Sequence, residues 1–247
     1  MKVALITGAA KRLGREIALT LARNGWDIGI HFNSSRPDAE ALATEIRALG
    51  RRAALIQGNL EDEAQVQQIV PRAVSELGAL TALVNSASVF EDDRMPSVTR
   101  ESWDRHMNTN LRAPFVLSQA FAAQMPAQDH GAIVNLIDQA VLKLSPQFIS
   151  YTVSKSGLWT LTRTMAQALG PRIRVNAVAP GPSLKAAKQS QENFDRQVAL
   201  TLLKRPSTPA DIAAAVLYLV TAQAVTGQMI AVDSGQHLGW AEDDFVE

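Results

Sequence analysis

Short, almost uninterrupted apolar runs recur along the chain: VALITG (3–8), DIGIHF (27–32), AALIQG (53–58), ALVNSA (82–87), AIVNLI (132–137), IRVNAVAP (173–180) and MIAVDSG (229–235). They do not alternate with polar positions, which is the pattern of strands covered on both faces. Between them lie stretches with helical spacing, such as REIALTLARNG, which stops at Gly25. Repeated β-then-α units of this length predict a parallel sheet of seven strands, doubly wound in the Rossmann manner, with helices on both faces and right-handed crossovers. No linker or further repeat interrupts the alternation, so residues 1–247 read as one α/β domain.

Two segments break the pattern. SVFEDDRMPSV follows the fourth strand, and a polar stretch rich in Lys, Gln and Ser runs from Gly181 to about Pro209 after a Pro-Gly-Pro turn. Loops leaving strand C-termini line the ligand crevice of such a sheet. The stretch 181–209 is long enough to serve as a lid over substrate.

Composition narrows the function classes. With 47% apolar and 19% charged residues, a large buried core is expected and disorder is not. Lys plus Arg equals Asp plus Glu at 24 each, and no basic block stands out, so neither nucleic acid nor an anionic membrane is an expected partner. The absence of cysteine removes disulfides and thiolate metal sites, and no metal site is expected. The N-terminus lacks a signal-peptide pattern and no stretch reaches the roughly 20 apolar residues of a membrane helix. The expectation is a cytoplasmic protein.

Candidate chemistry begins at the first strand-to-helix turn, TGAAKRLG. Gly8 and Gly14 allow a sharp bend and close approach of a phosphate to the helix N-terminus. The turn is not G-x-G-x-x-G, and on its own many tight turns look alike. Arg12 adds a cation where a pyrophosphate or an anionic substrate edge would sit. The second strand ends in HFNSSR, where dinucleotide folds that choose NAD place an acid on the ribose. Here Asn33, Ser34, Ser35 and Arg36 stand instead, a set suited to a 2′-phosphate and so to NADPH; an ordinary polar turn would read the same way. His31 reads as a strand-end residue.

Tyr151 and Lys155 stand four apart, on one face of a helix. A nearby ammonium would stabilise a phenolate and lower the Tyr pKa from about 10 toward the useful range. A surface helix could carry the same pair without function.

The motifs in order, TGAAKRLG, VNSAS (84–88), NTNLRAPF with Asn110, Tyr151-x-x-x-Lys155 and the Pro180–Gly181 turn, resemble the short-chain dehydrogenase/reductase family over nearly the whole chain. The resemblance implies a catalytic set of Asn110, Asp138, Tyr151 and Lys155, with Tyr as proton donor, Lys holding the nicotinamide ribose and Asn supporting a water relay behind it. It implies a homotetramer. It also implies a cofactor surface from Gly8, Lys11, Arg12, Leu13 and Gly14, through His31, Asn33, Ser34 and Ser35, then Asn59 and Leu60, Asn85 and Ala87. Tyr151, Lys155, Pro180, Gly181 and Ser183 complete that surface.

One departure is informative. Most members carry serine where this chain has Asp138. An ionised carboxylate there would repel the oxyanion formed when a ketone takes up hydride. For a C=N acceptor, a carboxylic acid kept neutral by burial could instead supply the proton. An inactive site, or an Asp that only caps the following helix, are the alternatives. The pteridine reductase branch shares this substitution and the Arg of TGAAKRLG. In NSASVF, Phe90 is similar to the aromatic that stacks on a pterin ring in that branch. The branch then implies a substrate site of Arg12, Ser88, Phe90, Asp138, Tyr151 and Leu184. AVDSGQHLGW resembles the end of bacterial dihydromonapterin reductases. Asn59 replaces an acid that often meets adenine, and Ser234 replaces a usual glycine. The tail, 236–247, is acidic and could bring Trp240 to a neighbouring subunit. The reading is an NADPH-dependent reductase of a small-molecule dihydropterin. The alternatives are a ketone reductase acting on a 3-oxoacyl thioester or a sugar, and an NADPH-sensing regulator without chemistry.

Overall fold

The computed structural model describes residues 2–185 and 189–239. Each apolar run forms a strand: β1 (Val3–Ile6), β2 (Asp27–Phe32), β3 (Ala53–Gln57), β4 (Ala82–Asn85), β5 (Gly131–Leu136), β6 (Ile173–Pro180) and β7 (Met229–Val232). They make one parallel sheet in the order β3-β2-β1-β4-β5-β6-β7. β1, β4 and β5 are buried along their whole length, which is why their sequences show no alternation.

The intervening helices are α1 (Arg12–Arg23), α2 (Arg36–Ala48), α3 (Glu63–Leu77), α4 (Arg100–Met107), α5 (Ala113–Gln124), α6 (Ile149–Leu169), α7 (Gln191–Ala199) and α8 (Pro209–Thr221). Two apolar layers sandwich the sheet. One gathers Ile17, Leu21, Leu42, Ile46, Val216 and Leu219 from α1, α2 and α8. The other gathers Ile69, Val70, Leu117, Phe121 and Met165 from α3, α5 and α6. No helix of the described residues is long and apolar enough to cross a membrane.

Strand ends differ from the apolar runs in an instructive way. VALITG, ALVNSA and MIAVDSG leave the ladder early, at Ile6, Asn85 and Val232. Asp233 follows β7 and lies against Gly181, while Thr7 and Ser86 meet above β1 and β4, where Ser86 N–H donates to Thr7 Oγ1 at 2.9 Å. Strand order reverses there, the position where ligands bind in such sheets. The polar segment after Gly181 is not wholly irregular, because Ser190 caps α7 by accepting from Asn193 N–H at 3.1 Å. Trp240 and the rest of the expected tail lie outside the described residues. Ser234 has φ of 54°, the left-handed region a glycine would enter freely, which gives the Gly-to-Ser departure a backbone consequence.

Candidate active site

The crevice is built from the glycine turn upward. Gly8 has φ of 64°, and a Cβ on it would meet Ala87 Cα at 3.0 Å. A side chain at Gly14 would collide with the Gly8 carbonyl. The turn is therefore a cradle that only glycines can make at these two positions. Thr7 Oγ1 accepts from the Ser86 and Ala87 amides at 2.9 and 3.0 Å, stitching the first turn to the fourth strand's exit. Lys11 caps α1 without a side-chain bond, so the first-turn amides of that helix stay open to an anion. These features fit the pyrophosphate of a dinucleotide.

At the end of β2 the described structure places no acid. Asn33 and Ser34 are exposed, Ser35 is half-buried, and Arg36 lies over the Phe32 ring at 5.3 Å while donating to Gln57 Oε1 at 3.0 Å. A 2′-phosphate finds donors and a cation here, with Arg36 also facing Glu40 at 3.6 Å. Of the residues expected to meet adenine, Asn59 accepts through Oδ1 from Glu61 N–H at 3.1 Å and Leu60 is buried.

Several expected residues point elsewhere than the sequence suggested. Lys11 pairs with Asp38 at 3.0 Å in solvent. Asn85 donates to Asn135 Oδ1 at 2.8 Å within the sheet, and its own Oδ1 is buried with no hydrogen-bond partner among the described residues. Only its backbone is left to face the cofactor. Arg12, itself at φ 54°, donates to the Leu184 and Lys185 carbonyls, both at 3.1 Å, holding the start of the 181–209 segment to the glycine turn.

The chemical end is a cavity of about 520 Å³, whose walls include Arg12, Ser88, Phe90, Asp138, Phe148, Tyr151, Lys155, Pro180, Gly181, Ser183 and Leu184. β5 delivers Asp138 just past its last residue, and α6 delivers Tyr151 and Lys155 one turn apart. Tyr151 Oη donates to Asp138 Oδ2 at 2.8 Å. Asp138 Oδ1 meanwhile accepts from Ala140 N–H at 2.8 Å, so the residue both caps a short 3₁₀ turn and partners the tyrosine. Lys155, almost wholly buried, donates to the Leu136 carbonyl at 2.8 Å and sits 5.6 Å from the Tyr151 ring centre.

Electrostatics here depart from the expectation. Burial pushes the Asp138 carboxyl up, partly offset by the Ala140 and Tyr151 hydrogen bonds and the Lys155 charge. Burial, then the neighbouring Asp138 charge, pushes the Tyr151 phenol well above its ordinary value, so Lys155 does not bring it down. Burial lowers Lys155 to about 8. Desolvation outweighs the ammonium because all three groups share one dry pocket.

Asn110 lies in a π-helical turn, Asn108–Arg112, between α4 and α5. Its Oδ1 accepts from Val89 N–H and Ser88 Oγ at 2.8 and 3.2 Å, and its Nδ2 donates to Val89 O and Ser154 Oγ at 2.9 and 3.1 Å. That exhausts the amide, so its side chain holds the 88–89 loop and has no bond left for a relay water. Phe90 stacks on Phe148, ring centres 4.5 Å apart at 15°, so one of its faces is already covered. It also meets Tyr151 edge to face at 4.7 Å.

Some contributors were not legible as site residues. Asp93, buried in the EDD run, accepts from Ser150 N–H at 3.0 Å and Ser102 Oγ at 2.8 Å, pinning the N-terminus of α6. Phe148, at φ 57°, starts that helix in a left-handed conformation and carries no sequence mark of it. Asp233 abuts Gly181, accepts from the His237 backbone and ring, and adds a negative charge that pushes Asp138 further up.

Comparison with known proteins follows the same lines. A family model described as enoyl-(acyl carrier protein) reductase matches residues 8–237. The 3-oxoacyl-[acyl-carrier-protein] reductase FabG of Staphylococcus epidermidis is 35% identical over 242 residues, covering 96% of this chain and 99% of that protein. The short-chain dehydrogenase/reductase eriH of Hericium erinaceus is 35% identical over 246 residues, covering 95% and 97%. The crystal structure of FolM alternative dihydrofolate reductase 1 from Brucella canis, complexed with NADP, superposes with a TM-score of 0.95 at 42% identity, covering 99% of this chain and 97% of that one.

Proposed function

The chain belongs to the short-chain dehydrogenase/reductase family, and from that membership we propose that it reduces the C=N bond of a dihydropterin, such as dihydromonapterin or dihydrofolate, to the tetrahydro form. It is an NADP-dependent reductase, as the cradle, the acid-free end of β2 and the NADP-bound relative agree. When bound, NADPH supplies the hydride. The glycine turn and the α1 N-terminus hold its pyrophosphate, and Asn33, Ser34, Ser35 and Arg36 receive the 2′-phosphate.

The observation that carries the reading is the 2.8 Å Tyr151–Asp138 bond in a pocket that raises both groups. Hydride addition to C=N leaves a nitrogen that needs one proton. A phenol pushed well above its ordinary value is a poor source by itself, whereas a carboxyl raised by burial is a better one. In this reading Asp138 gives its proton to Tyr151 Oη as Tyr151 passes its own to the nitrogen. The pair ends as a phenol donating to a carboxylate, the geometry observed, and the Lys155 ammonium offsets the charge left behind. Phe90 and Phe148 offer an aromatic wall to a flat ring, with Arg12, Ser88 and Leu184 at its edge, and the 181–209 segment acts as the lid. The homotetramer rests on the family resemblance, and the apolar groove of about 410 Å³ lined by Met107, Leu111, Phe115 and Leu161 offers a face to a second copy of the chain.

A second reading, reduction of a 3-oxoacyl thioester, draws on the likeness to FabG. The two are separated by following NADPH oxidation with 7,8-dihydromonapterin, dihydrofolate and an acetoacetyl thioester, for the parent, Asp138→Ala and Asp138→Ser. Pterin turnover by the parent should fall about 100-fold in Asp138→Ala, the usual weight of a general acid, with NADPH affinity nearly intact. Turnover of the thioester alone, or pterin turnover indifferent to Asp138→Ala, would remove the proposal.

A further inference from the structure

His31 stands one residue from the end of β2, buried to 2% exposure. Its Nδ1 accepts from the Gly8 amide at 3.2 Å, and its Nε2 lies 3.1 Å from the Gly58 carbonyl. Its own carbonyl accepts from the Ala9 amide at 2.9 Å, and the next residue's carbonyl accepts from Gly58 N–H at 3.0 Å. One residue thus joins the glycine turn after β1 to the exit of β3. Because the Gly8 N–H donates to Nδ1, that nitrogen carries no hydrogen. The ring is then the neutral tautomer protonated on Nε2, which donates to Gly58. Burial agrees with this state, since it pushes the imidazole down to about 4.

The two sites joined are the two sides of a dinucleotide's adenosine half. The glycine turn meets its phosphates, and Asn59 and Leu60, directly after Gly58, lie where its adenine is expected. We infer that His31 is a positioning residue of the cofactor site, fixing the distance between phosphate turn and adenine loop and thereby setting affinity for a 2′-phosphorylated adenine dinucleotide. By taking the Gly8 and Ala9 amides for itself, it leaves the first-turn amides of α1 as the ones presented to phosphate. The inference rests on the use of NADPH and is independent of which substrate is reduced.

Three variants of the full chain divide the two hydrogen bonds. His31→Asn places Oδ1 where Nδ1 stands and keeps the acceptor for Gly8. His31→Gln reaches toward Gly58 and loses that acceptor, and His31→Leu loses both. The dissociation constants of NADPH and of 2′,5′-ADP are measured by calorimetry, alongside NADPH KM, kcat and the melting temperature. His31→Leu and His31→Gln are expected to weaken both ligands at least tenfold. His31→Asn should stay within threefold of the parent, with the kinetic loss falling on the NADPH KM and kcat held within twofold. Binding within twofold of the parent in His31→Gln or His31→Leu would overturn the inference, as would equal weakening in His31→Asn and His31→Gln. If His31→Leu does not fold, the contrast between the Asn and Gln variants decides the matter.

Discussion

The two ends of the crevice are built on opposite principles. At the nucleotide end, the buried polar side chains Thr7 and His31 are neutral, and each spends its capacity on backbone groups. Charged side chains there, such as Lys11 and Asp38, pair in solvent at the rim. At the chemical end, Asp138, Tyr151 and Lys155 face one another in a desolvated pocket, all displaced from their ordinary protonation behaviour. Neutral clasps fix shape at little electrostatic cost. Buried ionisable groups cost stability, which a fold retains where a proton must be held and released.

The sharpest way to break this contrast is Tyr151→Phe, which removes the last proton carrier and leaves the ring packing on Phe90. We expect kcat to fall about 1,000-fold, within the span known for general acids, with the NADPH dissociation constant unchanged. A loss confined to KM would move Tyr151 from chemistry to binding.

Next in size is acid sensitivity at the nucleotide end. His31 falls from 6.5 unfolded to about 4 folded. Between those values the unfolded chain takes up a proton that the folded one refuses, so stability is full above 6.5 and declines as pH drops toward 4. The loss is on the order of 3 kcal/mol. Urea denaturation at pH 7 and pH 5 should show a steeper decline for the parent than for His31→Asn, and parallel declines would contradict a buried neutral imidazole.

At the chemical end the pH sign reverses. Lys155 is a cation below about 8 and loses its charge above it. The kcat/KM for NADPH, which reports the free enzyme, should therefore fall about tenfold per pH unit beyond that point. A flat profile to pH 9.5 would show that the ammonium is not needed. The smallest effect sharpens the neutral side: Thr7→Val strips the acceptor from two part-buried amides and should cost about 1–3 kcal/mol in chemical denaturation. It should leave the pH profile of turnover where it was.

How much of this could be read along the chain varies with range. The strands were legible because burial on both faces makes a continuous apolar run, and their early ends at Thr7, Ser86 and Asp233 were visible as polar residues within those runs. Tyr151 and Lys155 stood out through helical spacing, and Asp138 through the family resemblance. The Asp93 clamp was hidden in an irregular acidic run, since its contacts with Ser102 and with Ser150, 57 positions away, separate it from its neighbours. Phe148 on Phe90, and Arg12 on the carbonyls of Leu184 and Lys185, join residues that no local pattern relates.

The sequence by itself therefore determined the layered α/β architecture and the acid-free end of β2, because periodicity and residue type are local properties. Only the tertiary structure decided which groups are desolvated, which amides are already spent and which side chain the tyrosine hydroxyl meets. Desolvation and hydrogen-bond saturation depend on everything within a few ångströms of a group, and in this fold most of that comes from distant parts of the chain.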